Sequence, residues 1–180
     1  MQNRIFNVQK LEQFTKLALD MFNYQMKYNP IYANYAKLIL KEKKPSNIHE
    51  IPCLPIELFK THEIICREQA VKKIFVSSGT NGAESKHLVS DLTLYKKSFL
   101  KAFNLFYGDI SNYCILSLLP NYRQREGSSL IYMVDELIKR SNNKLSGFFL
   151  NNYKSLSDTI KKNEKENKKT ILFGVSYALL

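Results

Sequence analysis

Six consecutive residues, Ser77, Ser78, Gly79, Thr80, Asn81 and Gly82, carry three hydroxyls and two glycines, and Lys86 follows four residues after the second glycine. Glycines let a backbone turn its N–H groups inward onto an anion. Hydroxyls add donors, and a lysine adds a mobile positive charge. Such a loop has the chemistry to hold a nucleotide's phosphates. It is not a Walker loop, which needs four residues between its first glycine and a Gly-Lys pair, and a helix directly after. Here two residues separate Gly79 from Gly82, and no glycine precedes Lys86. No helix dipole is then expected at the phosphates, so amides, hydroxyls and the lysine must suffice. The competing reading is a plain hairpin turn, because Asn-Gly is a strong hairpin signal, and composition by itself favours it.

The flanking residues say how this stretch is positioned. Ile74-Phe75-Val76 precedes it and Leu88-Val89 follows, which reads as strand, polar loop, strand. Ser90 is the expected N-cap of a helix striped by Leu92, Tyr95, Phe99, Phe103 and Phe106 and ending near Gly108. From Tyr113 onward, apolar strands over 113–119, 147–150 and 170–175 alternate with helices, one through Leu130, Val134 and Leu137 and a polar one over 154–166. That alternation predicts parallel β-α-β units. Ligands in such sheets bind at the carboxyl ends of strands. The loop Pro120 to Ser129 lies at one such end and carries Arg123, Arg125 and Ser128, which fit a ligand site or a plain surface loop equally well.

Upstream, Leu11, Phe14, Leu17 or Ala18, and Met21 mark one apolar helix face between about residues 7 and 26. Pro30 breaks it, and Ile31, Tyr35, Leu38 and Ile39 predict a second helix. Such stripes are expected to be core. Pro45, Pro52 and Pro55 punctuate a loop, Ile56 to Lys60 reads as a helical turn, and His62–Ile65 and Val71–Val76 read as strands. The expected architecture is α/β: a helical region over 1–45, then a partial α/β domain over 46–180.

Ser78-Gly79-Thr80-Asn81-Gly82 with Lys86 resembles the Ser-Gly-Thr-Thr-Gly-x-Pro-Lys signature of the adenylate-forming enzymes. Asn81 stands for the second threonine, one extra residue precedes the lysine, and the proline is missing. The branch that fits best is the acyl-protein synthetase family of bacterial luminescence systems. Ile51-Pro52-Cys53-Leu54-Pro55-Ile56-Glu57-Leu58-Phe59-Lys60-Thr61-His62-Glu63 resembles its approach to the phosphate loop. Leu118-Leu119-Pro120-Asn121-Tyr122 and Gly127-Ser128-Ser129-Leu130-Ile131-Tyr132-Met133 resemble the segment that follows. The likeness covers most of residues 7–180 and matches the amino-terminal half of a family member.

The resemblance implies a two-step reaction. A carboxylic acid, in this branch a fatty acid, attacks the α-phosphate of ATP to give an acyl-adenylate, and a thiol then takes the acyl group. Ser77, Ser78, Thr80 and the amides around Gly79, Asn81 and Gly82 would hold phosphates, with Lys86 as the catalytic charge partner. Mg2+ would bridge the phosphates, though no carboxylate of the chain stands out as its ligand. The thiol acceptor would be a protein cysteine, a carrier protein or coenzyme A, with an acyl reductase as a further partner. Family members continue into an adenine-binding segment and a mobile carboxyl-terminal domain. This chain stops within the apolar Ala178-Leu179-Leu180, so an incomplete catalytic set is expected. The alternative is a non-catalytic nucleotide- or anion-binding module that keeps the fold.

Composition narrows the rest. The 180 residues are enough for a real core, and 44% apolar with 12% aromatic content is globular. The net charge is +11, and lysine outnumbers arginine 22 to 5. The densest basic run, Lys161 to Lys169, contains Glu164 and Glu166 and no aromatic residue, so it reads as a solvated face and nucleic acid is disfavoured as a partner. The longest apolar run, Ile171 to Leu180, falls far short of the roughly 20 residues of a membrane helix. With no signal-peptide pattern at the start, the expected compartment is the cytoplasm. Cys53, Cys66 and Cys114, and the lone His49 and His62, have no metal-ligand spacing; Cys114 reads as a buried small hydrophobe.

Overall fold

A computed structural model of the chain describes residues 2–77, 84–121, 126–175 and 179. The chain divides into two compact units, Met1–Leu94 and Tyr95–Leu180.

The first unit opens with helices α1 (Gln2–Ile5), α2 (Leu11–Tyr28) and α3 (Pro30–Leu40). Asn29 joins the last two. Its N–H donates to the Gln25 carbonyl, ending α2, and its side-chain oxygen accepts the Tyr32 N–H, starting α3. Pro30 occupies the first turn, where its missing N–H costs nothing. The helices meet through Phe22, Tyr32 and Ala36, with Phe22 and Tyr32 edge to face at 6.2 Å. Tyr32 donates its hydroxyl to the Pro52 carbonyl at 2.9 Å, which ties the proline-rich loop to α3.

The apolar stripes are core only in part. Leu11 and Phe14 are 73% and 50% exposed, and the buried residues of α2 are Leu17 and Phe22. In α3 the buried face is Tyr32, Ala33 and Ala36, while Leu38 and Ile39 lie outside. Small alanines let the two helix backbones approach closely, so they take the contact face from the larger residues.

A short helix α4 (Leu58–Thr61) follows Pro55. The strand expected over His62–Ile65 is not formed. The chain just beyond it is tied to the end of α2, where the Arg67 N–H donates to the Tyr28 carbonyl at 2.7 Å. Strands β1 (Lys73–Val76) and β2 (Lys86–Val89) form the expected antiparallel pair, in the register Lys73↔Val89, Ile74↔Leu88, Phe75↔His87 and Val76↔Lys86. Phe75, Leu88 and Val89 are buried. Helix α5 (Leu92–Tyr107) is capped by Asp91, whose carboxylate accepts the Leu94 N–H at 2.9 Å. The expected cap, Ser90, instead donates its hydroxyl to the Gln69 side chain at 2.7 Å. Both residue types cap well, and the partner waiting across the loop takes the serine.

The second unit is a parallel sheet with helices on both faces. Strand β3 (Cys114–Leu118) is central, between β4 (Gly147–Phe148) and β5 (Thr170–Gly174), and both pairings are parallel. Helix α6 (Ser129–Ser141) links β3 to β4, and α7 (Tyr153–Lys165) links β4 to β5. Every residue of β3 is buried, which accounts for an apolar run interrupted only by Ser117. On one face Cys114, Leu116 and Leu118 pack with Leu156 and Ile160 of α7. On the other, Ile115 meets Phe103 of α5 and Leu137 of α6, and Leu119 meets Ile131 and Val134. Phe103 is the buried residue of the α5 stripe; Leu105, Phe106 and Tyr107 at its end are exposed, Phe106 by 78%. Among the described residues no helix is long and apolar enough to cross a membrane.

Two neighbouring positions in β3 make a stability test. Leu116→Ala removes a fully buried side chain and should cost about 2–5 kcal/mol, read as a lower urea midpoint. Ser117 is equally buried, yet its hydroxyl has no partner among the described residues. Ser117→Ala should therefore leave the midpoint unchanged or raise it.

Candidate functional site

The β1–β2 hairpin is the frame of the polar loop. Ser78, Gly79, Thr80, Asn81 and Gly82 lie outside the described residues, but the two ends that hold them are defined. Ser77, just past β1, donates its N–H to the Ser85 carbonyl at 3.0 Å. In return the Ser77 hydroxyl oxygen accepts both the Ser85 N–H, at 3.0 Å, and the Ser85 hydroxyl, at 2.9 Å. A hydroxyl oxygen has two lone pairs and one proton. With both lone pairs engaged by Ser85, the Ser77 hydroxyl keeps its proton to donate, and among the described residues no acceptor takes it. Ser77 is exposed, so an acceptor can come from solvent.

Lys86 begins β2 directly opposite Val76, one step inside the Ser77–Ser85 pair. It too is exposed, and among the described residues no ion pair engages it. The mouth of the hairpin thus brings together an exposed hydroxyl and an exposed ammonium. That donor set suits an anion. Sequence reasoning placed Ser77 and Lys86 here but gave Ser85 no role. Its signal is its position: the second serine sits across the loop from Ser77, where an antiparallel pair must set the two against each other.

His87, the residue after Lys86, pairs with Phe75 across the ladder and sets its ring edge against Phe59 at 6.5 Å. Although the residue is exposed as a whole, loss of water around the ring holds its pKa below the ordinary 6.5. This makes it a neutral, structural histidine at neutral pH. Arg123 and Arg125 lie outside the described residues. Ser128 is occupied as the N-cap of α6, its hydroxyl accepting the Ile131 N–H at 3.4 Å. Among the described residues no group of three or more histidine, cysteine, aspartate or glutamate side chains is placed to hold a metal ion.

No family model matches the chain, and no solved structure matches it. A curated protein of Photorhabdus luminescens, the Long-chain-fatty-acid–luciferin-component ligase, is 33% identical to it over 72 residues. Those residues are 39% of this chain, and the chain spans 62% of that protein's length. The chain is similar to a ligase over that region.

The histidine supplies a pH test. Because folding depresses the His87 pKa, the folded state binds fewer protons than the unfolded chain at mildly acidic pH. Its contribution to stability is full above about pH 6.5 and is lost as pH falls through the lower folded pKa. NMR titration should place the His87 midpoint below 6.5, and His87→Gln should flatten the fall in melting temperature as pH drops below about 6.5.

Proposed function

We propose that this chain carries the phosphate-holding part of an ATP-dependent acid–thiol ligase of the acyl-protein synthetase type. One observation carries the reading. The neck of the hairpin presents an exposed hydroxyl at Ser77, both of whose lone pairs are taken by Ser85, and an exposed ammonium at Lys86. The partial similarity to a fatty-acid ligase supports it, and on this reading the substrate is a long-chain carboxylic acid.

In this reading the acid's carboxylate attacks the α-phosphate of ATP, pyrophosphate leaves, and a thiol then displaces AMP from the acyl-adenylate. The thiol belongs to a protein cysteine, a carrier protein or coenzyme A, and an acyl reductase consumes the product. The setting is cytoplasmic, where ATP is supplied. The hairpin's part is electrostatic. Ser77, Ser78 and Thr80 donate hydroxyl protons, the amides at Gly79, Asn81 and Gly82 donate N–H groups, and Lys86 offsets charge as pyrophosphate departs. Donors fixed on a strand pair need little reorganisation, and that is why a hairpin serves where a helix terminus is missing. Magnesium would travel with the phosphates and offset their charge; the described residues hold no group of three or more histidine, cysteine, aspartate or glutamate side chains for it.

The test is nucleotide binding to the full chain. Titration calorimetry should show ATP binding that Lys86→Ala weakens about tenfold or more and Ser77→Ala weakens severalfold, as expected for lost charge-assisted hydrogen bonds. ATP affinity equal in Lys86→Ala and the parent would overturn the assignment. Pyrophosphate release on adding tetradecanoate would show a complete catalytic set; ATP binding without release is the outcome expected of a chain that holds the phosphates and lacks the rest of that set.

A further inference from the structure

A cavity of about 780 Å3 lies in the first unit, at the end of the β1–β2 hairpin away from the polar loop. A volume of this size is typical of small-molecule sites. Ile5, Met21 and Leu94 build an apolar wall. The rest of the lining is polar, and its hydrogen bonds show what each group still offers a ligand.

One amide holds two hydroxyls of the lining. Gln69 donates to the Tyr24 hydroxyl at 3.0 Å and accepts from the Ser90 hydroxyl at 2.7 Å. Tyr24 therefore keeps its own proton to donate, while Ser90, its proton spent, keeps oxygen lone pairs to accept with. Because the two ends of an amide lie side by side, a donor and an acceptor are held next to each other. Gln25 adds a second donor. The Asn29 side-chain oxygen is taken by the Tyr32 N–H, so the Asn29 NH2 donates to Gln25 Oε1, at 3.0 Å, and the Cys66 thiol donates to the same oxygen at 3.7 Å. The Gln25 carbonyl is filled, and its NH2 is left over. The charges come one of each sign. Lys72 donates its N–H to the Val89 carbonyl at 2.8 Å, which sets it beside Ser90 and Asp91. It is exposed, and among the described residues no ion pair engages its ammonium. Asp91 caps α5 through one carboxylate oxygen and brings its negative charge to the same lining.

The lining thus mixes donors with acceptors, carries no net charge and has one apolar wall. A bare carboxylate would gain Lys72 but meet Asp91, and a bare amine would gain Asp91 but meet Lys72. A small zwitterion answers both charges at once. We infer that this cavity binds a free α-amino acid with a large apolar side chain: its carboxylate on Lys72, Gln25 and Tyr24, its ammonium on Asp91 and Ser90, and its side chain along Ile5, Met21 and Leu94. The ammonium is what the site selects for, because Asp91 turns away an acid that lacks one. The site lies apart from the polar loop and stands independently of the ATP reading.

The experiment is equilibrium dialysis of L-phenylalanine against the full chain without nucleotide. Saturable binding near one to one is expected. 3-Phenylpropanoate, which lacks the ammonium, and 2-phenylethylamine, which lacks the carboxylate, should each bind about tenfold more weakly or worse, as should L-alanine, which lacks the bulky side chain. Lys72→Gln should weaken phenylalanine about tenfold and leave the amine unchanged or tighter. Asp91→Asn, which retains a good helix cap, should weaken phenylalanine about tenfold and leave 3-phenylpropanoate unchanged or tighter. Four outcomes overturn the inference: no saturable binding of phenylalanine; the acid binding as tightly; the amine binding as tightly; or indifference of phenylalanine to both variants. The comparison of ligands uses the parent chain, so it decides the matter even if a variant fails to fold. Since no nucleotide is present, failure here leaves the ATP assignment standing, and failure of ATP binding leaves this one standing.

Discussion

The bridge between Ser77 and Ser85 governs what the hairpin can do. Two strands of four residues are a marginal structure by themselves. Burial of Phe75, Leu88 and Val89 anchors the ladder from below, and the serine pair closes it at the top. By filling both lone pairs of one hydroxyl, that closure leaves the hydroxyl its proton to donate. One set of hydrogen bonds thus ends the strands, sets the width of the loop's neck and keeps a donor there. Lys86, one rung below, gains its Cα position from the same ladder while its side chain stays exposed.

The second unit follows a different constraint, the full burial of β3. A strand covered on both faces and paired on both edges has no polar outlet, so its amides must find partners inside. Most do so through the parallel ladders. Ile115 donates its N–H to the Ser146 hydroxyl at 2.9 Å, and Ser146 shares a hydrogen bond with Ser141, which donates to the Ile138 carbonyl. A small relay of serines thereby connects the start of the central strand to the end of α6, without burying a charge.

Where the hydrophobic period was long and strong, the fold was legible. The helices around Phe22 and Phe103, the β-α-β order after Tyr113 and the antiparallel pair around the polar loop all follow from spacing. Illegible features depend on partners distant in sequence. Ser90 and Asp91 are both good caps, and only the position of Gln69 decides between them. His62–Ile65 has the residues of a strand but no strand beside it; the end of α2 takes its neighbour Arg67 instead. Leu11 and Phe14 continue a periodic stripe past the surface that covers it. At the site, residue types pointed to Ser77 and Lys86, whereas the role of Ser85 emerges only once the two strands are in register.

The exposed end of α5 bears on how the protein behaves in bulk. Leu105, Phe106 and Tyr107 form an oily tip on a molecule of net charge +11. In dilute buffer, mutual repulsion between such cations keeps those tips apart. Added electrolyte shortens the reach of that repulsion to about 8 Å at physiological strength. Colloidal stability is then set by the tip, and clumping should increase with salt, opposite to a protein whose copies attract through unlike charges.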